Sequence, residues 1–215
     1  MRMVVVSGVP GVGKSTALSI LANDYASADG GPLVVAPEPV EQWEACLRRH
    51  ATGEASALEL QLEVLMAFSE RERGLRASGH LSPFQGIHGT GVIVAERDHA
   101  DATMFGLAML GTGALTSMEY SVLSRVSGAL FRDSPPHATH LFLRADVDTA
   151  LGRVRTRGRS SEAGMKHEYM ETLAIIHENT AKRAAWRCVD TDGVEPAAVA
   201  ERIAAEIGLV RKRAD

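Results

Sequence analysis

The segment Gly8-Val9-Pro10-Gly11-Val12-Gly13-Lys14-Ser15-Thr16 satisfies G-x-x-x-x-G-K-[ST] at every fixed position. Glycines at 8, 11 and 13 let successive backbone N–H groups turn toward one point, which an oxyanion such as phosphate can occupy. Lys14 would reach the β and γ phosphates, and Ser15 would hold Mg²⁺ through its hydroxyl, with Thr16 in the first turn of the following helix. A chance glycine turn is the competing reading; a β-rich run before the motif and a helical one after it make the turn the lesser choice. By itself the loop implies only that a nucleoside triphosphate binds. Two acids suited to chemistry on that phosphate follow: Glu38, and Glu96 with Arg97 beside it. A carboxylate can accept the proton of an attacking hydroxyl, and a guanidinium can neutralise the charge that develops. A third group is basic. Arg153, Arg155, Arg157 and Arg159 have no acid between them, and Arg153 and Arg157 share a helix face. Such a run repels itself until an anion arrives, so residues 153–165 read as a lid over phosphates rather than a solvated face.

These groups need a scaffold that brings them together. Five short apolar runs fit strands: Met3–Ser7, Leu33–Ala36, Gly91–Ala95, Thr139–Leu143 and one near Trp186–Val189. Each is nearly continuous rather than alternating, as expected of a parallel sheet covered on both faces. Helical stretches between them, from Ala17–Tyr25 to Pro196–Ile207, give an α/β doubly wound fold with a five-stranded parallel sheet. Ligands of such sheets sit beyond the carboxyl ends of the strands, which is where Glu38 and Glu96 fall. Asp146 is placed to cap the helix that carries the arginines, and Gly158 to break it. Gly79–Thr90 and Ser134-Pro135-Pro136 read as loops, and Arg211-Lys212-Arg213 as a frayed end.

Composition sets the boundaries. The chain has 215 residues, 45% of them hydrophobic and 23% charged, which suits one globular domain over residues 1–215. A formal charge of -4 argues against nucleic acid or an anionic membrane as partner. No apolar stretch reaches the roughly 20 residues that span a bilayer, and Met1–Val6 reads as a strand rather than a signal peptide. Two cysteines, Cys46 and Cys188, are too few for a disulfide scaffold and suit a reducing cytoplasm or nucleus. His137 and His140 lie close in sequence, but no neighbouring acid or cysteine completes a metal set, so they read as loop residues.

Several motifs together resemble the deoxynucleoside kinase family, which includes deoxycytidine kinases, insect multisubstrate kinases and herpesviral thymidine kinases. The matching pieces are Gly8–Thr16; Pro37-Glu38-Pro39-Val40 with Trp43; a helix carrying Gln61; Val94-Ala95-Glu96-Arg97; and Arg157–Gly164 followed by Glu168-Tyr169. The resemblance implies a P-loop kinase fold with an arginine-rich lid and ATP-dependent phosphorylation of the 5′-hydroxyl of a deoxynucleoside, thymidine and/or deoxycytidine. It implies Glu38 as the general base, Arg97 as the residue orienting the hydroxyl and the γ-phosphate, and Glu96 as an acid helping to hold magnesium. Gln61 would read the base, Trp43 would pack beside it, Glu162 would bind the sugar 3′-hydroxyl, and Arg153, Arg157 and Arg159 would be the lid arginines. Cys46–Leu60 lacks the Tyr that the family places before its Gln helix, so the 3′-hydroxyl contact falls to Glu162 or His50. Glu96-Arg97-Asp98 replaces the more usual E-R-S. In deoxycytidine-preferring members an Arg and an Asp line the base pocket; ungapped counting puts Phe68 and Ala102 there, whereas a one-residue gap substitutes Asp101. Family members are homodimers, which makes the apolar residues of Leu107–Leu130 a candidate dimer face. Two rival readings are a nucleoside monophosphate kinase of thymidylate kinase type and a catalytically silent nucleotide-binding subunit. The silent reading expects loss of Lys14, Glu38 or Arg97, and all three are present.

Overall fold

Val4, Val5 and Val6 are fully buried, so the strand they form must be covered on both faces. This strand, β1 (Arg2–Ser7), is the middle of a five-stranded parallel sheet in a computed structural model that describes residues 1–81, 90–134, 137, 139–162 and 164–212. On one side of it lie β4 (Val92–Glu96) and then β3 (Leu33–Ala36); on the other lie β5 (Thr139–Arg144) and then β6 (Arg187–Asp190). All four pairings are parallel, and the register sets Val6 beside Glu96 and Ser7 beside Phe142. The α/β doubly wound expectation therefore holds, with each expected strand present to within two residues at either end.

Helices cover the sheet because its side chains alternate between two apolar faces. Val4, Val6, Val92 and Val94 pack with Leu18 and Leu21 of α1 (Lys14–Asp24) and with Ile203 and Ile207 of α8 (Pro196–Ile207). Met3, Val5, Ile93 and Ala95 pack on the other side with Leu75 of α3 (Ala57–Ala77). A separate apolar cluster joins Trp43 of α2 (Val40–Ala51), Leu60, Leu65 and Phe68 of α3, Ala102 and Met109 of α4 (His99–Gly111), and Leu123 of α5 (Ser117–Leu130). Polar starts delimit these helices. Ser56, Asp98 and Thr116 each accept the N–H of the residue three ahead, and Glu59, Asp101 and Glu119 reciprocate. Asp146 caps α6 (Val147–Arg157) by accepting from Asp148 N, and Gly158 ends it in the left-handed region. A short 3-10 turn (Ser160–Glu162) leads on to α7 (His167–Arg183).

Three expectations are corrected. Tyr25 does not end the first helix; it begins β2 (Tyr25–Ser27), which pairs antiparallel with β7 (Leu209–Arg211). Gly208, left-handed at the end of α8, turns the chain back to make that pairing. Arg211 and Lys212 are accordingly not frayed: Arg211 is in β7, and Lys212 Nζ donates to the carbonyls of Ala22 and Asn23. His140 is no loop residue but part of β5. Ser82–Gly89, Pro135-Pro136, Ala163 and Arg213 lie outside the described residues, and with them most of the loop expected at Gly79–Thr90. No helix among the described residues is long and apolar enough to cross a membrane.

Candidate active site

The turn after β1 can close only on glycine. A Cβ at Gly11 would lie 2.2 Å from the Ala150 carbonyl oxygen of α6, and one at Gly8 would lie 2.5 Å from that of Leu143. Gly13, at φ 94°, caps α1 and faces open space, so the helix N-terminus and its unpaired N–H groups open on the cleft. Lys14 is 4% exposed, and its Nζ donates to the carbonyls of Gly8 and Val9 at 2.9 and 3.0 Å. Burial, followed by the neighbouring Arg97 charge, lowers the Lys14 pKa to about 8, although Glu96, Glu38 and Asp101 pull the other way. The ammonium thus spends its donors on loop carbonyls in a place that would favour a more anionic neighbour.

Glu96, the last residue of β4, is buried and accepts the Ser15 hydroxyl at 2.9 Å. Two oxygen donors at the mouth of the phosphate loop suit a hard cation such as Mg²⁺. Arg97 follows with φ 56°, a conformation that non-glycine residues adopt rarely, and it points the guanidinium back across the strand ends. Its Nη1 lies 2.7 Å from both carboxylate oxygens of Glu38, and its Nη2 donates to the Gly8 carbonyl at 3.0 Å. The guanidinium also stacks over Phe105, with its carbon 4.7 Å from the ring centroid. Glu38 is therefore anchored beside the phosphate loop by one cation that touches both.

Sequence reasoning missed Arg71. This α3 residue donates to the carbonyls of Pro37, Glu96 and Arg97, binding the segment before Glu38 to the end of β4. Its guanidinium carbon lies 4.9 Å from the centroid of Phe68. In the sequence it stands in the charged run Glu70–Arg73 with nothing to set it apart; its role follows only from where α3 passes the strand ends.

The other end of the cleft is apolar. Gln61, 3% exposed, has its Nε2 3.6 Å from the Met109 sulfur, and its Oε1 is buried with no hydrogen-bond partner. Trp43 meets Phe68 edge-on, with centroids 5.6 Å apart, and both line the cleft with Ala102 and Val64. Asp101, which a one-residue gap would have made a base contact, is otherwise engaged. Its Oδ2 accepts from the Ser7 hydroxyl and from Asp98 N, and its Oδ1 faces His177 Nε2 at 3.2 Å. Tyr169 of α7 lines the cleft as well, and burial keeps its phenol neutral well above the usual range. Cleft volume is about 1480 Å³, room for a nucleotide and a second ligand of nucleoside size.

The basic segment closes the open side. Arg157 Nη2 and Arg159 Nη1 lie 2.5 and 3.6 Å from opposite oxygens of Glu162. Arg153 donates to the Thr191 hydroxyl and carbonyl beyond β6, so it is held at the wall, while Arg155 is exposed. His50 lines the cleft, but its Nδ1 is held 3.0 Å from the Ala55 carbonyl. Phosphate loop, acid–arginine pair, amide, lid arginines and Glu162 all border one cleft.

A family model described as deoxynucleoside kinase matches residues 4–207. Among solved structures, the chain is similar to deoxyadenosine kinase from M. mycoides with bound dCTP, at 19% identity and TM-score 0.72, covering 95% of this chain and 98% of that one. The same enzyme with products dCMP and a flexible dCDP gives 19% identity and TM-score 0.73, over 95% and 97%. With bound dATP it gives 19% and 0.71, over 96% and 99%. At that identity the likeness speaks for the fold. No curated protein matches the chain's sequence.

Proposed function

The chain belongs to the deoxynucleoside kinase family, and from that premise we propose that it transfers the γ-phosphoryl group of ATP to the 5′-hydroxyl of a deoxynucleoside. The observation that carries this reading is the Arg97 guanidinium, which holds Glu38 through one nitrogen and the phosphate-loop carbonyl of Gly8 through the other. A proton acceptor is thereby fixed beside an anion cradle, the arrangement that phosphoryl transfer to an alcohol requires.

In the proposed mechanism the triphosphate lies on the N–H groups of Gly8–Thr16, and Lys14 exchanges its loop carbonyls for the β and γ oxygens. Glu38 takes the proton of the 5′-hydroxyl as that oxygen forms its bond to the γ-phosphorus and the bond to the β-bridging oxygen breaks. Arg97 keeps the Glu38 carboxylate aimed and faces the charge passing to the equatorial oxygens. Arg157 and Arg159 close from the lid side and exclude water, with Arg153 bracing α6 against Thr191. Mg²⁺, held through Ser15 and with the help of Glu96, would supply Lewis-acid neutralisation of the phosphates.

At the other end, Gln61 reads the base. Its amide presents a donor and an acceptor in one plane, and its orphan Oε1 gains a partner only when a base arrives. Trp43, Phe68 and Ala102 supply an uncharged wall, and Asp101 is spent on Ser7, Asp98 and His177. A lone amide flanked by apolar groups accepts the N3–H and O4 edge of thymine or, turned over, the amino edge of cytosine or adenine. Thymidine and deoxycytidine both fit, and so does deoxyadenosine, which the structurally similar enzyme's name specifies. Glu162, beside the lid arginines, takes the 3′-hydroxyl, and the neutral Tyr169 phenol serves the sugar side in place of the missing tyrosine. A second copy covers the exposed Leu107, Met118, Val122 and Leu130, giving a homodimer that works in the reducing cytoplasm.

Incubation with labelled ATP and each of the four deoxynucleosides, with thymidine monophosphate as a fifth acceptor, tests the reading. Labelled nucleoside 5′-monophosphates are expected. Transfer to the monophosphate alone would instead make the chain a nucleoside monophosphate kinase, and no transfer to any acceptor would favour a silent nucleotide-binding subunit.

A further inference from the structure

A second constellation lies outside the cleft. Asp98 begins α4, and its Oδ1 accepts the N–H groups of Ala100 and Asp101 at 2.8 and 3.4 Å. Its Oδ2 is buried and has no hydrogen-bond partner. Burying a carboxylate oxygen without a partner is unfavourable unless a cation offsets it. His137 Nδ1 stands 3.3 Å from that oxygen, and His140 reaches the same place from β5. One nitrogen of each ring and one Asp98 oxygen all lie within 4.8 Å of one another. None of the three side chains lines the nucleotide cleft.

We propose that Asp98, His137 and His140 form a binding site for a divalent metal of the zinc class. Two imidazoles and a carboxylate suit Zn²⁺, Co²⁺ or Ni²⁺ rather than Mg²⁺, which prefers oxygen ligands. Zinc ligands sit roughly 3.4 Å apart when each is about 2.1 Å from the metal, so the three donors must draw together by about 1 Å. His137 is only half-buried, which leaves it room to turn toward the other two.

Hydrogen bonding behind the site prepares it. Ser7 Oγ is 2.7 Å from Asp101 Oδ2 and 2.7 Å from His140 Nε2. Asp101 Oδ2 also accepts from Asp98 N, and its Oδ1 faces His177 Nε2, so this carboxylate stands as an acceptor. The Ser7 proton therefore points to Asp101, and Ser7 accepts from His140 Nε2–H. That leaves His140 Nδ1 with a bare lone pair. A ligating histidine whose other N–H is held by a polar partner is the usual outer arrangement of metal sites. Trp186 stacks on the His140 ring, with centroids 3.5 Å apart, and so reports on the site. Because Asp98 follows Arg97, an ion here would clamp the start of β5 to the residue beside the cleft's acid–arginine pair.

The test is a titration of the full chain, freed of metal by chelator dialysis, with CoCl₂ and no nucleotide present. Expected are one equivalent of Co²⁺ with the visible absorption of a low-symmetry site and quenching of tryptophan fluorescence. His137→Gln should weaken binding at least tenfold. Asp98→Asn should do the same while keeping the α4 cap, because asparagine caps helices as well as aspartate does. A circular-dichroism melt run on each variant confirms that it is folded. No absorption at millimolar CoCl₂, or binding unchanged in both folded variants, would overturn the site. Since no phosphate transfer is measured, failure here leaves the kinase reading intact, and failure of the kinase assay leaves this site intact.

Discussion

The two ends of the cleft solve opposite problems. At the phosphate end Lys14 sits on the loop carbonyls, Glu96 on Ser15, and the two Nη atoms of Arg97 on Glu38 and Gly8, which leaves only its buried Nε without a hydrogen bond among these groups. At the base end a single amide is buried with an oxygen that bonds to nothing. Charges cannot wait unpaired in a desolvated site, because the cost of burial exceeds what the fold can offset, so the protein supplies stand-in partners that a phosphate displaces. One neutral amide oxygen costs about 1–3 kcal/mol, small enough to be tolerated and regained when a base binds. On the proposed function, preorganisation at the phosphate end would come from mutual charge pairing, and selectivity at the base end from the buried amide oxygen that makes no hydrogen bond.

Breaking the phosphate end should have the largest effects. Lys14→Ala removes the only ammonium on the loop and should lower kcat by about 10³-fold or more with the fold intact, read from initial rates and a thermal melt. Arg71→Ala acts at one remove. It loses the three carbonyl bonds that hold the Glu38 and Arg97 segments together, so kcat should fall about 10–100-fold and stability by about 1–3 kcal/mol. A kcat unchanged in this variant would show that the strand ends hold the acid without it.

The base end should respond differently. Gln61→Leu removes the orphan oxygen, so the free protein should be as stable as before or slightly more so, while KM for the nucleoside rises about 10-fold or more. Loss of stability in that variant would mean that the amide is a structural element rather than a reader. The smallest effect is a pH dependence. Between about 8 and 10.5 the unfolded lysine keeps a proton that folded Lys14 has released, so unfolding free energy rises with pH across that window. Relative to Lys14→Ala, the wild type should gain on the order of 1–3 kcal/mol in denaturant melts of the ligand-free protein. A gain of the opposite sign would place the ammonium in a better-solvated setting.

What could be read from the sequence divides along similar lines. Apolar runs showed the middle of the sheet because β1 and β4 are buried almost throughout, and the phosphate loop was legible because its geometry demands glycines at fixed spacing. Glu38 and Glu96 stood out by falling at strand ends. Arg71, by contrast, sits in a run of charges where Glu70 and Arg73 are exposed and Glu72 pairs with Arg76, and only the path of α3 past the strand ends selects it. The pairing of β2 with β7 joins segments near opposite ends of the chain, and three-residue strands leave almost no periodic signal. Asp98 caps α4 just after β4 and His140 lies in β5, so the sequence hides a cluster that the fold assembles.

The central claim is that Glu38 takes the proton from the nucleoside. Its most direct test is Glu38→Gln, an isosteric change that keeps a hydrogen-bond acceptor near Arg97 but removes the base. Nucleoside affinity by calorimetry should stay within a few-fold of wild type, while kcat falls about 10²–10⁴-fold. Retention of full kcat with unchanged affinity would contradict the assignment and leave the acceptor of that proton elsewhere in the cleft.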